Sequence, residues 1–432
     1  MSQTITISEN WKRSFFPIWI AQIFSLLGSG LVNFALVWYL TQSTGSATVL
    51  AMATLVAVLP DVFIGPFAGA LVDRLNRRLV MIVADGSIAL ASIGLGLVFW
   101  AGHVQPWHIY LIMFLRSIGG VFHWPAMQAS TSLMVPAKHL ARIAGLNQAL
   151  RGSMNIVAPP LGALLMSLLP MYGILGIDVF TALLAIFPLF LVAIPQPPNR
   201  SPEEIITPTR LVKDVVVAFK YMVAWKGLLS IVLLALGINF ILAPSGTLLP
   251  LMVTKIFQGN AWHLSALEAG AGIGVVLGGL TLGAWGGFRR KIYTTLGGLF
   301  FIGFGILIVG ITPGSWFWLA VVGYFITGFM GPITNGPLHA ILQERVAPEM
   351  QGRVFTLASA GSTAMMPLSM LIAGPVSDWL GIRLWFIVGG IVTILMAIFA
   401  LANRQITTVE DQEAASQGLE VTIPLPMPPL SN

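Results

Sequence analysis

The sequence predicts an all-α membrane protein in which twelve transmembrane helices form two pseudo-symmetric six-helix bundles. Of the 432 residues, 56% are hydrophobic and only 9% are charged, a balance too apolar for a soluble fold of this size. The apolar residues lie in runs of about 20, the length that crosses a bilayer. Because these runs do not alternate polar and apolar residues, they favour helices over the strands of a β-barrel.

The runs fall into two groups of six, separated by a polar stretch. The first group contains spans at 16–40, 48–72, 80–101, 107–131, 142–168 and 174–195. The second group contains spans at 227–254, 265–287, 292–312, 316–340, 354–378 and 382–402. We therefore divide the chain into an N-terminal bundle at 1–195, a cytoplasmic linker at 196–226, a C-terminal bundle at 227–402 and a tail at 403–432.

The linker and the tail have their own composition. The linker begins with the Pro-rich stretch PQPPNRSPEE and continues as RLVKDVVVAFKYMVAWKG. The second stretch predicts a short amphipathic helix at the membrane surface. The tail carries acidic residues and ends in IPLPMPPLSN, a composition that predicts disorder.

Lysine and arginine are concentrated in one set of loops. If the N-terminus is inside, eighteen of the 22 basic residues fall in inner loops or at the inner interface. Only Lys255 and Arg383 fall outside, and Arg116 and Arg151 lie within spans. Cytoplasmic loops of membrane proteins carry an excess of lysine and arginine. We therefore expect a multi-pass membrane protein with both termini in the cytoplasm.

The two groups of spans repeat each other. Arg77 follows the second span and Arg289 follows the eighth span, 212 residues later. Pro136 and Pro348 are separated by the same 212 residues. Repeated six-span halves are a feature of secondary transporters, whose substrate site lies between the halves near the membrane midplane.

The eighth span is rich in glycine. Gly274 and Gly278 are spaced as GxxxG, and so are Gly279 and Gly283. This spacing predicts close packing against neighbouring helices, because glycine lets two backbones approach each other.

The stretch GALVDRLNRR, residues 69–78, resembles a loop motif of the major facilitator superfamily. The motif consists of a glycine, an Asp-Arg pair four residues later and then a basic pair. Here these are Gly69, Asp73, Arg74, Arg77 and Arg78. Asn76 stands where the family usually has glycine, and the second-half copy GAWGGFRRK lacks the aspartate. The resemblance implies that these residues take part in the conformational change.

The segment LRSIGG resembles the Arg-x-x-x-Gly motif of span 4 in proton-driven members, and it contributes Arg116 and Gly120. More narrowly, the chain is similar to the bacterial macrolide-efflux proteins, in stretches such as WKRSFFPIWIAQIFSLLGSGL and VAPEMQGRVFTLASAG. APPLGA keeps only part of the Gly-Pro-x-x-Gly-Gly signature of drug antiporters. The resemblance implies proton-coupled efflux of amphipathic drugs, such as macrolides, by alternating access in the bacterial inner membrane.

Charged residues within the spans are candidates for proton coupling. Asp61, Arg116 and Arg151 each lie near the middle of a span in the first half. A charge at the bilayer centre costs about 2.5–3.5 kcal/mol on insertion scales, so it needs a partner or a function. We expect the three to meet at one level, with Asp61 exchanging protons and Arg116 tuning its proton affinity. A structural ion pair that never titrates is the alternative. Glu268 is the reserve proton site of the second half.

Other polar residues within the spans are candidates to line a cavity. They are Gln22, Asn33, His123, Asn239 and Asn335. For His123, hydrogen-bonded packing is the alternative to a proton-carrying role. Asp85, Asp178 and Glu268 are expected near span ends, as interfacial caps or gate contacts.

Composition and motifs also limit the function. The chain has no cysteine, so a disulfide or a thiolate metal site is impossible. It has no P-loop and no His-Glu-x-x-His set, so we expect neither ATP hydrolysis nor enzyme activity. We predict a monomer without cofactor, metal or nucleic acid, whose partners are lipid, protons and an amphipathic substrate. An exporter of siderophores or lipids is the alternative, and a membrane enzyme or sensor has the least support.

Overall fold

The computed structural model describes residues 11–192, 194–195 and 208–411, and these residues form helices without any β-strand. The helices of the first half are α1 (Trp11–Thr44), α2 (Ala47–Phe63), α3 (Gly65–Val72), α4 (Arg77–Trp100), α5 (Pro106–Met134), α6 (Ala137–Leu168) and α7 (Met171–Leu191). After these come α8 (Pro208–Ala224), α9 (Lys226–Thr247), α10 (Leu249–Leu251), α11 (Ala261–Trp285), α12 (Lys291–Ile311), α13 (Phe317–Arg345), α14 (Pro348–Leu380), α15 (Arg383–Ala402) and α16 (Arg404–Thr407).

Nine helices in the described part of the chain are long and apolar enough to cross a membrane. The three other predicted spans are helical as well. Helices α5 and α6 have 29 and 32 residues but carry more polar side chains. The second span is divided at Ile64 into α2 and α3. Pro66 has no backbone N–H to donate to the preceding turn, which weakens the helix at this point. The all-helical membrane fold is confirmed, and twelve spans agree with it.

Three buried apolar cores show how the two halves meet. One core combines residues of both halves, such as Leu40 at the end of α1, Leu251 after α9 and Phe386 near the start of α15. We call this the far end of the molecule. At the opposite end, where α1 begins and α15 ends, each half has its own core. Phe15 belongs to the first and Trp225 to the second. At this terminus end the two cores are separate.

Tryptophan and basic side chains differ in their distribution between the two ends. Six exposed tryptophans lie at the far end and one, Trp285, lies at the terminus end; the six are Trp100, Trp107, Trp262, Trp316, Trp318 and Trp379. Exposed basic residues gather at the terminus end, among them Lys12, Arg13, Arg74, Lys138, Arg142, Arg289, Arg290 and Arg404. Tryptophan favours the membrane–water interface, and basic residues favour the cytoplasmic side. This distribution supports placing the terminus end in the cytoplasm.

Glycines bring the helices of the second half close together. A Cβ built on Gly278 would lie 1.9 Å from the carbonyl oxygen of Phe329 in α13. One built on Gly274 would lie 2.5 Å from the carbonyl oxygen of Phe325. A Cβ on Gly279 would meet nothing within 4 Å, and the same holds for Gly283. Close packing is therefore confirmed for the first GxxxG pair, and the prediction was wrong for the second.

The predicted amphipathic helix of the linker corresponds to α8 (Pro208–Ala224). The Pro-rich stretch at residues 196–207 lies outside the described residues. The division of the chain at the linker remains a prediction.

The prediction of disorder from Asn403 onward was wrong for the first part of the tail. Ile406 and Val409 are buried in the apolar core of the second half, with exposures of 2% and 0%. Glu410 Oε1 accepts a 2.6 Å hydrogen bond from the backbone N–H of Ile292, near the start of α12. Apolar contacts and a helix cap therefore order this segment, which the acidic composition did not reveal. Residues 412–432 lie outside the described residues.

Candidate functional site

Two neighbouring cavities in the described part of the helix bundle share a lining residue, Asn33 of α1. The first cavity has a volume of about 350 Å³ and lies among α1, α2, α4 and α5. The second has a volume of about 410 Å³ and is bounded by α1 and α6 of the first half and by α11 and α13 of the second. The second cavity therefore lies where the two halves meet.

Arg116 in the first cavity forms a buried ion pair with Asp178. Arg116 Nη1 donates to Asp178 Oδ2, and Nη2 donates to Oδ1 at 3.4 Å. The hydroxyls of Ser92 and Ser29 donate to the same carboxylate at 2.6 and 3.3 Å. The Asp178 side chain is only 1% exposed. Both oxygens of this carboxylate accept hydrogen bonds, and its charge is balanced by Arg116.

The expected meeting of Asp61 with Arg116 was wrong. The Asp61 side chain is exposed on α2, and among the described residues its carboxylate has no hydrogen-bond or ion-pair partner. The side chain of Arg151 lies outside the described part of the structure. Asp178 is not an interfacial cap, because α7 already begins at Met171, about two turns before it. The predicted span started three residues too late.

Asp85 is the second buried carboxylate of the first cavity, with 2% exposure. Gln22 Nε2 donates a 3.1 Å hydrogen bond to Asp85 Oδ2. His123 Nε2 lies 3.4 Å from Asp85 Oδ1. Asp85 lies eight residues after Arg77, the first residue of α4, which is about 12 Å along the helix. The expected position at the interface was therefore too shallow, since it placed the start of the helix too late.

Glu268 lines the second cavity from the second half, together with Tyr324. Phe34 and Asn155 line it from the first half. In the described part of the chain, no hydrogen-bond donor or cation contacts the Glu268 carboxylate. An acid in such a setting attracts a proton or a cationic substrate group, because its charge is otherwise uncompensated.

Three of the five polar residues expected to line a cavity do so. Gln22, Asn33 and His123 line the first cavity. Asn239 and Asn335 are exposed and line neither cavity. The amide of each donates to the carbonyl four residues earlier in its own helix, at 2.9 and 3.0 Å.

Basic side chains hold the loop motif at the terminus end. Arg77 is buried, and its Nη2 lies 3.0 Å from Asp73 Oδ1. Its Nη1 donates a 2.8 Å hydrogen bond to the carbonyl of Ala129 in α5. Arg78 donates to the carbonyl of Phe190 in α7, also at 2.8 Å. These contacts tie the loop to its own half of the molecule.

The two motif glycines lie in open surroundings. A Cβ on Gly69 or Gly120 would meet nothing within 4 Å, and Gly120 lines the first cavity. The adjacent Gly119 is the close-packed residue, because a Cβ there would lie 2.8 Å from the side chain of Ile88. The part of Gly69 and Gly120 in a conformational change stays a prediction, as does that of the exposed Arg74.

At the far end, Asp378 of α14 caps the N-terminus of α2 across the two halves. Its Oδ1 accepts the backbone N–H of Ala47 at 2.8 Å. Its Oδ2 accepts the N–H of Thr48 at 3.0 Å and the hydroxyl of Ser46 at 2.9 Å. A carboxylate at this position satisfies unpaired N–H groups and interacts favourably with the helix dipole. The sequence did not reveal this Asp378 clamp, because its partners lie 330 to 332 positions away.

Comparisons of the sequence identify its relatives. A family model described as Major Facilitator Superfamily matches residues 18–359 and 246–426. Macrolide efflux protein A of Streptococcus pyogenes is 35% identical over 390 residues, which cover 90% of this chain and 96% of the relative. Macrolide efflux protein A of Enterococcus faecalis is 34% identical, with coverage of 76% and 100%. Multidrug efflux pump Tap of Mycobacterium tuberculosis is 25% identical, with coverage of 86% and 89%.

Solved structures share the fold at low sequence identity. A POT family transporter in complex with 5-aminolevulinic acid aligns with a TM-score of 0.69 and 10% identity, over 90% of this chain and 96% of that one. A D-xylose-proton symporter aligns with a TM-score of 0.63 and 15% identity, over 88% and 96%. Since the family model also matches most of the residues, the chain belongs to the Major Facilitator Superfamily of membrane transporters.

Proposed function

We propose that the protein is a secondary active transporter that exports amphipathic drugs, such as macrolides, in exchange for protons. Relatives named as macrolide and multidrug efflux proteins support this substrate class. The second cavity supports it as well, because it combines the aromatic rings of Phe34 and Tyr324 with the carboxylate of Glu268. We place the protein in the bacterial inner membrane as a monomer with cytoplasmic termini.

The observation that carries this proposal is the closure of the molecule at one end. Both halves share an apolar core at the far end, and each has its own core at the terminus end. With the terminus end in the cytoplasm, this arrangement is an inward-facing state that admits substrate from the cytoplasm or the inner leaflet. Export then requires the far end to open and the terminus end to close around a site between the halves.

Proton coupling needs a group that binds a proton in one state and releases it in the other. Glu268 is the proposed carboxylate, because it lies in the cavity between the halves and lacks a counter-charge among the described residues. Asp61 is the second candidate, and Arg116 and Arg151 are candidates to tune proton binding. Arg116 would act through Asp178, its partner in the structure.

Everted membrane vesicles test this function. We expect a radiolabelled macrolide to accumulate in vesicles with an acidic lumen, and we expect a protonophore to abolish the accumulation. Glu268→Gln is expected to lose gradient-driven accumulation at equal expression, because an amide cannot release a proton. Glu349→Gln, an exposed acid in the first turn of α14, is the matched control and is expected to transport normally.

Each outcome of the vesicle experiment is informative. Accumulation that does not depend on the pH gradient would remove proton coupling. A folded protein without accumulation would remove the macrolide substrate, and siderophores and lipids would be tested next. Asp61→Asn belongs in the same series, and full gradient-driven transport by this variant would exclude Asp61 as the proton carrier.

The Asp378 clamp gives a prediction about the far end. Asp378→Asn is expected to make the far end open more often, because it removes the carboxylate that accepts the N–H groups of α2. The chain has no native cysteine, so a single Ala51→Cys substitution gives a clean reporter. Ala51 is 3% exposed and faces Gly374 of α14. We expect a membrane-impermeant maleimide to label this cysteine faster from outside the cell when Asp378 is replaced.

The control for this measurement is Glu349→Gln in the same Ala51→Cys background. It lies at the other end of α14 and is expected to leave the labelling rate unchanged. Equal labelling rates with aspartate and asparagine at position 378 would show that the clamp does not hold the far end closed.

A further inference from the structure

The polar groups of the first cavity form two sets with different charge balance. In one set, Asp178 is paired with Arg116 and accepts two further hydrogen bonds from hydroxyl groups. In the other, Asp85 accepts one hydrogen bond from the neutral amide of Gln22 and lies 3.4 Å from His123. Whether Asp85 has a counter-charge therefore depends on whether His123 is protonated.

Because Asp85 and His123 are both buried, a carboxylate without a counter-charge at this site costs free energy. The side chains of Asp85 and His123 are 2% and 10% exposed. Removing an ion from water costs several kcal/mol, and a nearby opposite charge or a bound proton offsets that cost. An anionic Asp85 beside a neutral His123 is the poorly compensated state. The addition of one proton gives either an ion pair or two neutral groups.

Among the side chains that the structure describes, other charged groups on the neighbouring helices do not supply the missing charge. On α5, Arg116 is committed to Asp178 of α7. On α2, Asp61 is exposed and does not line the cavity. At the start of α4, Arg77 is bound to Asp73 near the terminus end. On α1, Lys12 and Arg13 are exposed at its first turn, and the side chain of Arg151 on α6 lies outside the described residues.

We propose that Asp85 and His123 form a second proton-binding site of this transporter, additional to Glu268. This inference rests on the proposed proton-coupled function. One proton from water binds to the pair Asp85⁻/His123⁰ and leaves it again, and no other bond forms or breaks. The unpartnered Oε1 of Gln22, which is buried, is free to accept a hydrogen bond from a proton-carrying group or water in the cavity.

A narrow cleft extends from the pair toward the terminus end. It is lined by Gln22 and His123 and, nearer that end, by Trp19, Met127 and Asn147. Its volume of about 20 Å³ is enough for one water molecule, which needs about 10–15 Å³. Trp19 Nε1 donates a 2.7 Å hydrogen bond to Asn147 Oδ1 between α1 and α6. A water here would contact the proton-binding pair from the proposed cytoplasmic side.

Helix α1 connects this site with the cavity between the halves. Gln22 contacts Asp85, and Asn33, eleven residues later, lines both cavities. The two positions are about 16 Å apart along the helix. A displacement of α1 when substrate binds would therefore change the hydrogen bond to Asp85, which is how substrate binding and proton release would be coupled.

Proton release upon substrate binding is the direct test. Purified protein in weakly buffered detergent solution is mixed with a macrolide, and the released protons are measured with a pH indicator. We expect Asp85→Asn to release about one proton fewer per bound macrolide than the wild type, because the amide holds no exchangeable proton. His123→Gln is expected to show the same loss. Asp85→Glu should restore release, and Glu349→Gln should behave as wild type.

Transport in proteoliposomes gives the second readout. Each exchanged proton supports about a tenfold accumulation per unit of pH gradient, so Asp85→Asn is expected to lower steady-state accumulation about tenfold at one unit. Macrolide exchange without a gradient is the companion measurement at saturating macrolide, since exchange requires no net proton movement and reports whether the variant still carries substrate. A merely structural role would instead abolish exchange together with accumulation.

The outcomes separate this inference from the proposed function. If the wild type releases no protons, proton coupling fails and this site fails with it. If the wild type releases protons and Asp85→Asn releases as many, only the Asp85–His123 site is overturned. A loss of exchange in Asp85→Asn even at saturating macrolide would also overturn it. If Asp85→Asn does not fold, unchanged release by His123→Gln is the overturning result.

Discussion

Replacing Asp178 with asparagine is expected to lower the free energy of unfolding by about 3–5 kcal/mol and to abolish transport. The substitution leaves the guanidinium of Arg116 buried without its counter-charge. The fluorescence of the 13 tryptophans reports the change as a lower Tm of the purified protein in detergent. Asp61→Asn is the control, since it alters an exposed carboxylate and should cost less than about 0.5 kcal/mol.

A double substitution shows whether the two charges act as a pair. Arg116→Met combined with Asp178→Leu removes both charges from the buried site, so we expect it to be more stable than Asp178→Asn alone. We expect this double variant to remain inactive, because the first cavity loses Arg116, a candidate to tune proton binding. A double variant as unstable as the single one would show that charge balance is not what stabilises this site.

Replacing Gly278 with alanine is the second large effect that we expect. The new Cβ would lie 1.9 Å from the carbonyl oxygen of Phe329, so α11 and α13 must move apart. Forcing an extra methyl group into a packed interior costs about 1–3 kcal/mol. The measurement is again Tm in detergent, with transport activity followed in the same preparations.

The adjacent glycine provides the matched control. Gly279→Ala makes the same chemical change one position later in α11, where a Cβ meets nothing within 4 Å. It is expected to be neutral or stabilising, because alanine is favoured over glycine within a helix by about 1 kcal/mol. Similar losses in both variants would mean that helix propensity, and not the contact with α13, determines the effect.

The membrane spans could be predicted from sequence because a bilayer fixes the length of an apolar run. The ends of the helices could not, since hydrogen-bonded helix continues into the polar residues beyond the apolar core. Helix α6 therefore begins at Ala137 where the predicted span begins at 142, and α13 ends at Arg345 where the span ends at 340. Errors of this size placed Asp85 and Asp178 too close to the membrane surface, because the depth of a residue is counted from the end of its helix.

The depth of Arg116 was readable from the sequence, but its partner was not. Depth follows from position along one helix, whereas pairing depends on how neighbouring helices are rotated. Asp178 lies 62 positions from Arg116 and on a different helix. Pro170 was the available signal. It precedes the first residue of α7, and starting the span there places Asp178 two turns inside. We expected Asp61 beside Arg116 because the two residues lie at similar depths. Depth, however, does not show which neighbouring helix a side chain faces.

The ordered start of the tail determines where the protein can be extended by engineering. Glu410 holds the start of α12, and Arg290 Nη2 lies 3.1 Å from the Asp411 carboxylate. A reporter or affinity tag joined directly after α15 would remove these contacts together with the buried side chains of Ile406 and Val409. A tag joined after Asp411 keeps them, so the shortest safe fusion point lies nine residues beyond Ala402, the last residue of α15.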